Sequence, residues 1–329
     1  MSFSSEVKEE IAGNIGGARH CQIAELAAFL IYGGNTVRIT PVENAAEKAY
    51  QILFRSDNLF LVEKFNLLLR RLFHIHPEIQ EETAQNRNNA TYYVSIGNAR
   101  DAERILYSVN LLEDDGTLVE FVSLEHARIL QQECCRRAFL RGAFLVSGSI
   151  SDPNRSYHLE IACQDTYAGA QLCGLVCAMD VNARSIIRKK YHVVYVKESD
   201  EISRLLSLMG SRVEMMNFEN IRILREVRGN VNRKVNCETA NIHKTVTAAV
   251  RQVEDIEYIR DTIGFESLPK VLDEMARVRL QYREASLKEL GAVLDPPVGK
   301  SGVNHRLRKL SKIAEDIRQK KQEGHLNGQ

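Results

Sequence analysis

The segment that most constrains the fold covers residues 136–151, RRAFLRGAFLVSGSIS. Its apolar and small residues lie all round the expected helix, a pattern typical of a buried helix rather than a surface one. Gly142 falls mid-helix, where glycine costs ~1 kcal/mol relative to alanine, and a helix accepts that cost when a neighbour must come very close. A similar helix within residues 24–36 also ends at glycines and leads into a strand. We therefore expect the two helices to pack on each other and to hold two similar halves together.

The order of predicted elements is the same in both halves. Residues 91–106, TYYVSIGNARDAERIL, match residues 191–206, YHVVYVKESDEISRLL, and each segment has the pattern of a strand followed by a helix. An internal duplication is the economical explanation. Strands are predicted at residues 36–40, 50–54, 91–96, 157–162, 181–187 and 191–196, the last two forming a hairpin. Helices are predicted to start at Ser4 or Ser5, Arg19, Asp57 and Asp165, with a polar loop at residues 81–89.

Length and composition are those of an ordinary globular protein. At 329 residues the chain is long enough for two or three domains. No apolar run approaches the ~20 residues of a membrane-spanning helix, and the first ten residues lack an apolar signal core. We therefore expect a cytoplasmic protein with no membrane partner. Its seven cysteines, odd in number and mostly within apolar segments, are expected to be reduced core thiols.

The formal net charge of +1 hides a strong asymmetry along the chain. Residues 1–133 hold 12 basic against 19 acidic side chains, whereas residues 184–234 hold 12 against 6 and residues 268–329 hold 13 against 8. Such basic regions raise the expectation of a polyanionic partner. Two solvated helix faces would explain the charge alone equally well.

The C-terminal third is predicted to be helical. Residues 222–261 should form a long helix with breaks, because Asn and Thr are mediocre helix formers, and should bridge two bodies rather than build a second core. Three further helices follow. Ser286 and Glu289 match a capping box at the start of the second. Residues 295–299, DPPVG, cannot continue a helix, and Ser301 can cap the third.

The third of these helices has an apolar stripe and a basic opposite face. The stripe repeats at helical spacing and is expected to pack inward: Val303, Leu307, Leu310, Ile313 and Ile317. A short helix, a turn and a basic amphipathic helix predict a helix-turn-helix, whose last helix enters the major groove. Asn and Arg read bases there, whereas Lys neutralises phosphate. The predicted DNA-binding residues are Lys300, Ser301, Asn304, His305, Arg306, Arg308, Lys309 and Lys312. The alternative is a small helical hairpin that binds protein.

Four separated segments, in order along the chain, resemble the WhiA family of bacterial transcriptional regulators. They are residues 1–10, 136–151, 232–245 (NRKVNCETANIHKT) and 300–310 (KSGVNHRLRKL). The resemblance implies an α+β fold. A duplicated αββ-containing domain of the LAGLIDADG type, with a helix pair at a pseudo-twofold axis, would precede a helical linker and an all-α helix-turn-helix domain similar to region four of sigma factors. The predicted bounds are 1–133 and 134–212 for the repeats, 213–267 for the linker, and 268–329 for the last domain, with its motif at about 286–318.

The same resemblance bears on catalysis. In LAGLIDADG nucleases each helix of the central pair ends with an acidic residue that holds a divalent metal at the scissile phosphates. In this chain Gly33 and Ser147 stand at those positions. Asp152, a few residues further on, is interpreted as a turn residue. We therefore predict no catalytic residues, no nuclease activity, and no cofactor or metal.

Three other groups are weaker candidates. Cys173 and Cys177 lie one helical turn apart but lack a second ligand pair, so core packing is preferred to a zinc site. His74 and His76 are interpreted as surface or loop residues. A basic hairpin turn could contact DNA as a secondary site, although the acidic first half opposes a fully basic saddle. Its residues are Arg188, Lys189 and Lys190.

Together these features predict a non-enzymatic, sequence-specific regulator that binds double-stranded promoter DNA at the nucleoid. The resemblance implies roles in sporulation, cell division or chromosome segregation, and a protein partner such as an iron–sulfur WhiB-type regulator or a sigma factor. One rival function is a broad chromosome-associated protein with weak site preference, which would show a steep salt dependence and few base contacts. The other is a working homing-type endonuclease, which would nick DNA in the presence of Mg²⁺.

Overall fold

The structure, a computed structural model, describes residues 2–34, 37–41, 49–83, 90–119, 123–124, 127–189 and 191–326. The chain divides into two compact units, Met1–Glu226 and Val227–Gln329. Each unit has its own hydrophobic core. Among the described helices, none combines the length and the apolar run needed to cross a membrane.

The first unit is built from two copies of one arrangement that follow α1 (Phe3–Gly13). In the first copy the elements are α2 (Arg19–Tyr32), β1 (Val37–Pro41), β2 (Tyr50–Ser56), α3 (Leu59–Phe73), β3 (Gln80–Thr83), β4 (Ala90–Ile96) and α4 (Ala99–Ser108). In the second they are α5 (Glu133–Ser147), β5 (Gly148–Ile150), β6 (Leu159–Cys163), α6 (Thr166–Cys177), β7 (Arg184–Arg188), β8 (Tyr191–Val196) and α7 (Ser199–Met209). Both copies therefore run helix, two strands, helix, two strands, helix.

The two antiparallel sheets have the same strand order, β1-β2-β4-β3 and β5-β6-β8-β7. Equivalent residues also occupy equivalent registers, because Val94 pairs with Phe54 in the first sheet and Val194 pairs with Ile161 in the second. The predicted duplication and the α+β fold class are confirmed.

Helices α2 and α5 pack closely against each other. A Cβ atom placed on Gly142 would lie 2.6 Å from the carbonyl oxygen of Glu25 and 2.9 Å from the Cβ of Ala28. A real side chain would force the two backbones apart, so glycine is required at this crossing. The expectation drawn from Gly142 is confirmed, and the neighbour that approaches is α2.

Several predicted helix starts are wrong in detail. Ser2, rather than Ser4 or Ser5, caps α1 through its side chain, which accepts a hydrogen bond from the amide of Ser5. Asn58 precedes α3, while Asp57 accepts a hydrogen bond from the Thr91 hydroxyl across the sheet. Tertiary contacts thus help to decide which of several neighbouring polar residues precedes the first turn of a helix.

Strand β3 lies partly in the stretch predicted as a polar loop. Its residues, QEET, lack the apolar alternation of a strand, and they are held by pairing with β4 along the sheet edge. The predicted position Thr36 and the rest of the loop, residues 84–89, lie outside the described residues.

Helix α8 (Val213–Thr262) continues for 50 residues, so the predicted breaks are wrong. Asn and Thr cost only tenths of a kcal/mol each in a helix. The better helix formers in the rest of α8 outweigh that cost, so the helix is not interrupted. Phe218 belongs to the first core, whereas Ile256 and Ile259 belong to the second. The C-terminal turns of α8 therefore help to build a second core, contrary to our prediction.

The second unit continues with α9 (Lys270–Gln281), α10 (Leu287–Val293) and α11 (Lys300–Leu326). All three predicted helices are present. Helix α11 begins at Lys300, and the amide of Val303 donates to the carbonyl of Gly299. Ser301 therefore lies inside the helix, so its predicted role as a cap is wrong.

Candidate nucleic-acid interface

The pair α10 and α11 is fixed by local hydrogen bonds and by a tight turn. The Ser286 hydroxyl accepts from the amide of Glu289, and the Glu289 carboxylate accepts from the amide of Ser286 at 2.7 Å. These hydrogen bonds hold the pKa of Glu289 below its usual value. A Cβ on Gly291 would lie 2.0 Å from the carbonyl oxygen of Val298, so the turn packs directly onto α10. The predicted capping box is confirmed.

The apolar stripe of α11 faces the second core. Val303, Leu307 and Leu310 are buried, and Ile313 and Ile317 are partly buried against the same cluster. Ala314 is also fully buried and was missed by the sequence analysis. Since one side of α11 is covered by α9 and α10, the opposite side is the one presented to solvent.

That opposite side carries most of the predicted DNA-binding residues. Asn304 is half-buried at the boundary of the face. Among the described residues, none forms a salt bridge with the arginine or the lysines of this face. Its exposed members are Lys300, Ser301, His305, Arg308, Lys309 and Lys312.

Arg306 differs from its neighbours. Its side chain is only 20% exposed and lies 4.0 Å from a carboxylate oxygen of Glu274 on α9. The position therefore turns toward the body of the second unit, and Arg306 is the predicted contact that the geometry supports least.

The secondary candidate lies at the edge of the second sheet. All residues of β7 are exposed. A guanidinium nitrogen of Arg188 lies 3.7 Å from a carboxylate oxygen of Glu160, and Lys189 has a positive φ of 57° in the turn. Lys190 lies outside the described residues. The partial neutralisation of Arg188 makes this edge a weaker anion site than the face of α11.

The C-terminal ends of α2 and α5, where the nucleases carry acidic residues, hold no carboxylate of their own in the described residues. Gly33 follows the last residue of α2. Ser147 ends α5, and its hydroxyl donates to the carbonyl of Ala143 at 3.0 Å. Asp152 accepts from the amide and side chain of Asn154, which lowers the pKa of Asp152, and it is the turn residue that we expected.

A buried ion network between the helices was missed. Glu25 on α2 accepts two hydrogen bonds from the Arg141 guanidinium on α5, at 2.9 and 2.8 Å. The ammonium of Lys64 on α3 lies 3.1 Å from the same carboxylate, and all three side chains are buried. Burial lowers the pKa of Lys64, and the nearby Glu25 only partly offsets this. The sequence signal for this network was the charge of Glu25 and of Arg141, each flanked by small and apolar residues.

The other cysteine and histidine candidates take ordinary positions. The thiols of Cys173 and Cys177 lie 3.7 and 3.6 Å from the carbonyl oxygen of Ala183. His74 caps the C-terminus of α3 in the left-handed region, and His76 is exposed in the following loop. Cys173 is half-buried, but Cys177 is exposed, so the core-packing prediction is wrong for Cys177. Cys134 and Cys237 are also exposed rather than core thiols. His74 and His76 take the predicted surface and loop positions.

Fold and interface together define a class: a duplicated α+β unit of the LAGLIDADG type, followed by a helical unit with a helix-turn-helix. Residues 136–228 match the family model of the WhiA LAGLIDADG-like domain, and residues 231–314 match that of the WhiA C-terminal helix-turn-helix domain. The chain belongs to the WhiA family.

Individual relatives agree with this assignment over the whole length. The chain is 43% identical to "Probable cell division protein WhiA" of Lachnoclostridium phytofermentans, covering 97% of this chain and 100% of the relative. It is 44% identical to the protein of the same name from Lachnospira eligens, covering 97% and 98%. The crystal structure of full-length WhiA from Thermatoga maritima is 25% identical, with a TM-score of 0.55, covering 96% of this chain and 99% of that one.

Proposed function

We propose that this protein is a sequence-specific, non-nucleolytic DNA-binding regulator of transcription that reads promoter DNA with α11. The observation that carries the proposal is the exposed basic face of α11. The capped helix α10 and the tight turn after it fix the position of α11. The match of this region to a helix-turn-helix domain supports DNA as the partner. A protein-binding hairpin would not need a face so rich in lysine and arginine.

The roles along α11 follow from position and chemistry. The N-terminal turns of a recognition helix meet base edges, and Asn304, His305 and Arg308 lie there. Arg308 can donate two hydrogen bonds to a guanine, and Asn304 can pair with an adenine. Three lysines would bind DNA phosphates and so position the helix on the duplex: Lys300, Lys309 and Lys312.

The deciding experiment is a binding titration with Arg308→Ala on a selected DNA site and on scrambled DNA of equal length. We expect a loss of about 1–3 kcal/mol on the selected site and little change on the scrambled DNA. Arg260→Ala is a matched control, because it removes an exposed arginine of the same unit that pairs with its neighbour Asp261. An equal loss on both DNAs would make Arg308 a phosphate contact, not a base contact.

The alternative is a chromosome-associated protein with weak site preference. The basic segment 184–234 favours this reading, since phosphate contacts carry no sequence information. Genome-wide occupancy in the host separates the two functions. Sharp peaks over a shared motif that Arg308→Ala abolishes support the regulator. Broad occupancy that is insensitive to the substitution supports the alternative.

Loss of nuclease activity is the second half of the proposal. Gly33 and Ser147 offer no carboxylate for a divalent cation, and hard cations require oxygen ligands. We expect no nicking of supercoiled or cognate DNA in the presence of Mg²⁺ or Mn²⁺. Metal-dependent nicking by protein free of contaminating nuclease would overturn this half of the proposal.

The cellular role is proposed from the relatives. The two relatives described above carry the name of a probable cell division protein, and we extend that role to this chain, together with sporulation and chromosome segregation. We place the protein at the nucleoid, in the cytoplasm. A WhiB-type protein or a sigma factor is the proposed partner, and co-purification of either with the tagged chain would test this.

A further inference from the structure

Three thiols and one imidazole meet at the N-terminal ends of α2 and α5. His20 and Cys21 lie in the first turn of α2, and Cys134 and Cys135 lie at the equivalent positions in the first turn of α5. Their potential ligand atoms all lie within 4.8 Å of one another. The Nδ1 of His20 is 3.1 Å from the sulfur of Cys135 and 3.4 Å from that of Cys21.

We propose that these four side chains bind one Zn²⁺ ion in a tetrahedral Cys₃His site. Three thiolates and one imidazole form a ligand set of structural zinc sites. With Zn–S bonds of about 2.3 Å, sulfur atoms around a tetrahedral ion lie about 3.8 Å apart, so the observed cluster would close with shifts of about 1 Å. Sulfur ligands of this kind exclude Mg²⁺ and Ca²⁺ on chemical grounds.

The geometry favours a single ion over the other uses of clustered cysteines. An iron–sulfur cluster binds its thiolates on different iron atoms and holds them farther apart than one ion does. A disulfide would consume two thiols and leave the His20 imidazole without a role. The sulfur atoms of all seven cysteines are free in the structure.

The surroundings fit a structural site that can be loaded from solvent. Cys21 and Cys135 are buried, whereas His20 and Cys134 are exposed and provide an entry path. The guanidinium of Arg141 interacts electrostatically with Cys21, and it would offset the net negative charge of three thiolates on Zn²⁺.

The position of the site defines its role. It lies at the ends of the helix pair opposite to Gly33 and Ser147, the positions of the nuclease acids. Each repeat supplies two ligands, so the ion would clamp the two halves of the first unit together across their pseudo-twofold axis. The chain would thus hold a structural metal with soft ligands at the helix ends opposite to those where LAGLIDADG nucleases hold a hard catalytic cation.

The test is the metal content of the full chain, purified under reducing conditions without a metal-affinity tag. We expect about one zinc per chain by elemental mass spectrometry, and the absorption of tetrahedral, thiolate-bound cobalt after exchange with Co²⁺. Cys134→Ser and His20→Gln each remove one exposed ligand, so folding should survive. Cys237→Ser, an exposed cysteine of α8, is the matched control and should keep its zinc.

Losing one ligand should weaken zinc binding by at least the roughly 10–100-fold that loss of an outer-shell partner costs. Chelation should lower the unfolding temperature of the wild-type chain and leave that of Cys134→Ser unchanged. The proposal is overturned if the wild-type chain holds no more zinc than the two ligand variants, or if both variants retain it. Iron in place of zinc, or a disulfide among the three cysteines trapped in rapidly alkylated cells, would also overturn it.

Discussion

At the scale of single residues, Gly142 shows how close packing can outweigh helix propensity. Gly142→Ala would gain ~1 kcal/mol of propensity, but its Cβ would meet the Glu25 carbonyl at 2.6 Å, and overpacking typically costs about 1–3 kcal/mol. We expect a net loss of stability in chemical denaturation. Gly174→Ala in α6 is the control, because nothing lies within 4 Å of its added Cβ, and it should be neutral or stabilising. Equal effects at both positions would contradict the close crossing.

The buried carboxylate of Glu25 gives a second prediction at this scale. Glu25→Gln leaves Arg141 and Lys64 buried without their counter-charge, and breaking a buried ion pair costs about 3–5 kcal/mol. We expect a large drop in the free energy of unfolding of the first unit. Glu133→Gln removes an exposed carboxylate paired with Arg137 and should cost at most ~1 kcal/mol. A Glu25 variant as stable as that control would show that the network contributes no net stability.

At the scale of elements, the start of α8 is capped by a side chain from α1. The carboxylate of Glu10 accepts from the Ser211 hydroxyl at 2.6 Å and from the amides of Arg212, Val213 and Glu214 at 2.8 to 3.0 Å. Burial raises the pKa of Glu10, but these hydrogen bonds outweigh it, so the pKa is lowered from 4.5. The negative charge also meets the positive end of the helix dipole.

A pH dependence follows from this cap. Because the folded pKa is depressed, the stabilisation is complete above the ordinary value of 4.5 and is lost as the pH falls through the lower folded value. Glu10→Gln should cost about 1 kcal/mol near neutral pH, the size of a lost helix cap, and should flatten the acid side of the stability curve. Glu9→Gln, at an exposed neighbouring residue, should do neither. Parallel curves for wild type and Glu10→Gln would exclude the cap as a source of acid sensitivity.

At the scale of the whole molecule, the first core is complete without the second unit. Its buried members run from Val7 to Phe218, so a fragment of residues 1–226 should fold and unfold cooperatively on its own. It lacks α11 and should therefore bind a selected DNA site at least tenfold more weakly, about 1.4 kcal/mol, than the full chain. Calorimetry and binding titrations check the two claims separately. A fragment that binds as tightly as the full chain would make the first unit the main reader of DNA.

Much of this molecule could be predicted where a signal is local in sequence. The start of α2 at Arg19, the capping box at Ser286 and the helix start at Asp165 were predicted because periodicity and capping depend on residues within a few positions. The duplication was visible for the same reason, since each repeat carries its own pattern. Strand β3 and the unbroken α8 were missed, because sheet-edge pairing and the summed stability of a long helix are not local.

The sequence by itself determined the helices, most of the strands, the repeated order and the amphipathic α11, because hydrophobic periodicity and capping chemistry act along the chain. Only the tertiary structure decided which distant side chains meet. It paired the carboxylate of Glu25 with the guanidinium of Arg141. It also brought the first turns of α2 and α5 together, although His20 and Cys135 lie 115 residues apart in the sequence. Docking of two helices creates such contacts, and no pattern in either helix alone specifies its partner.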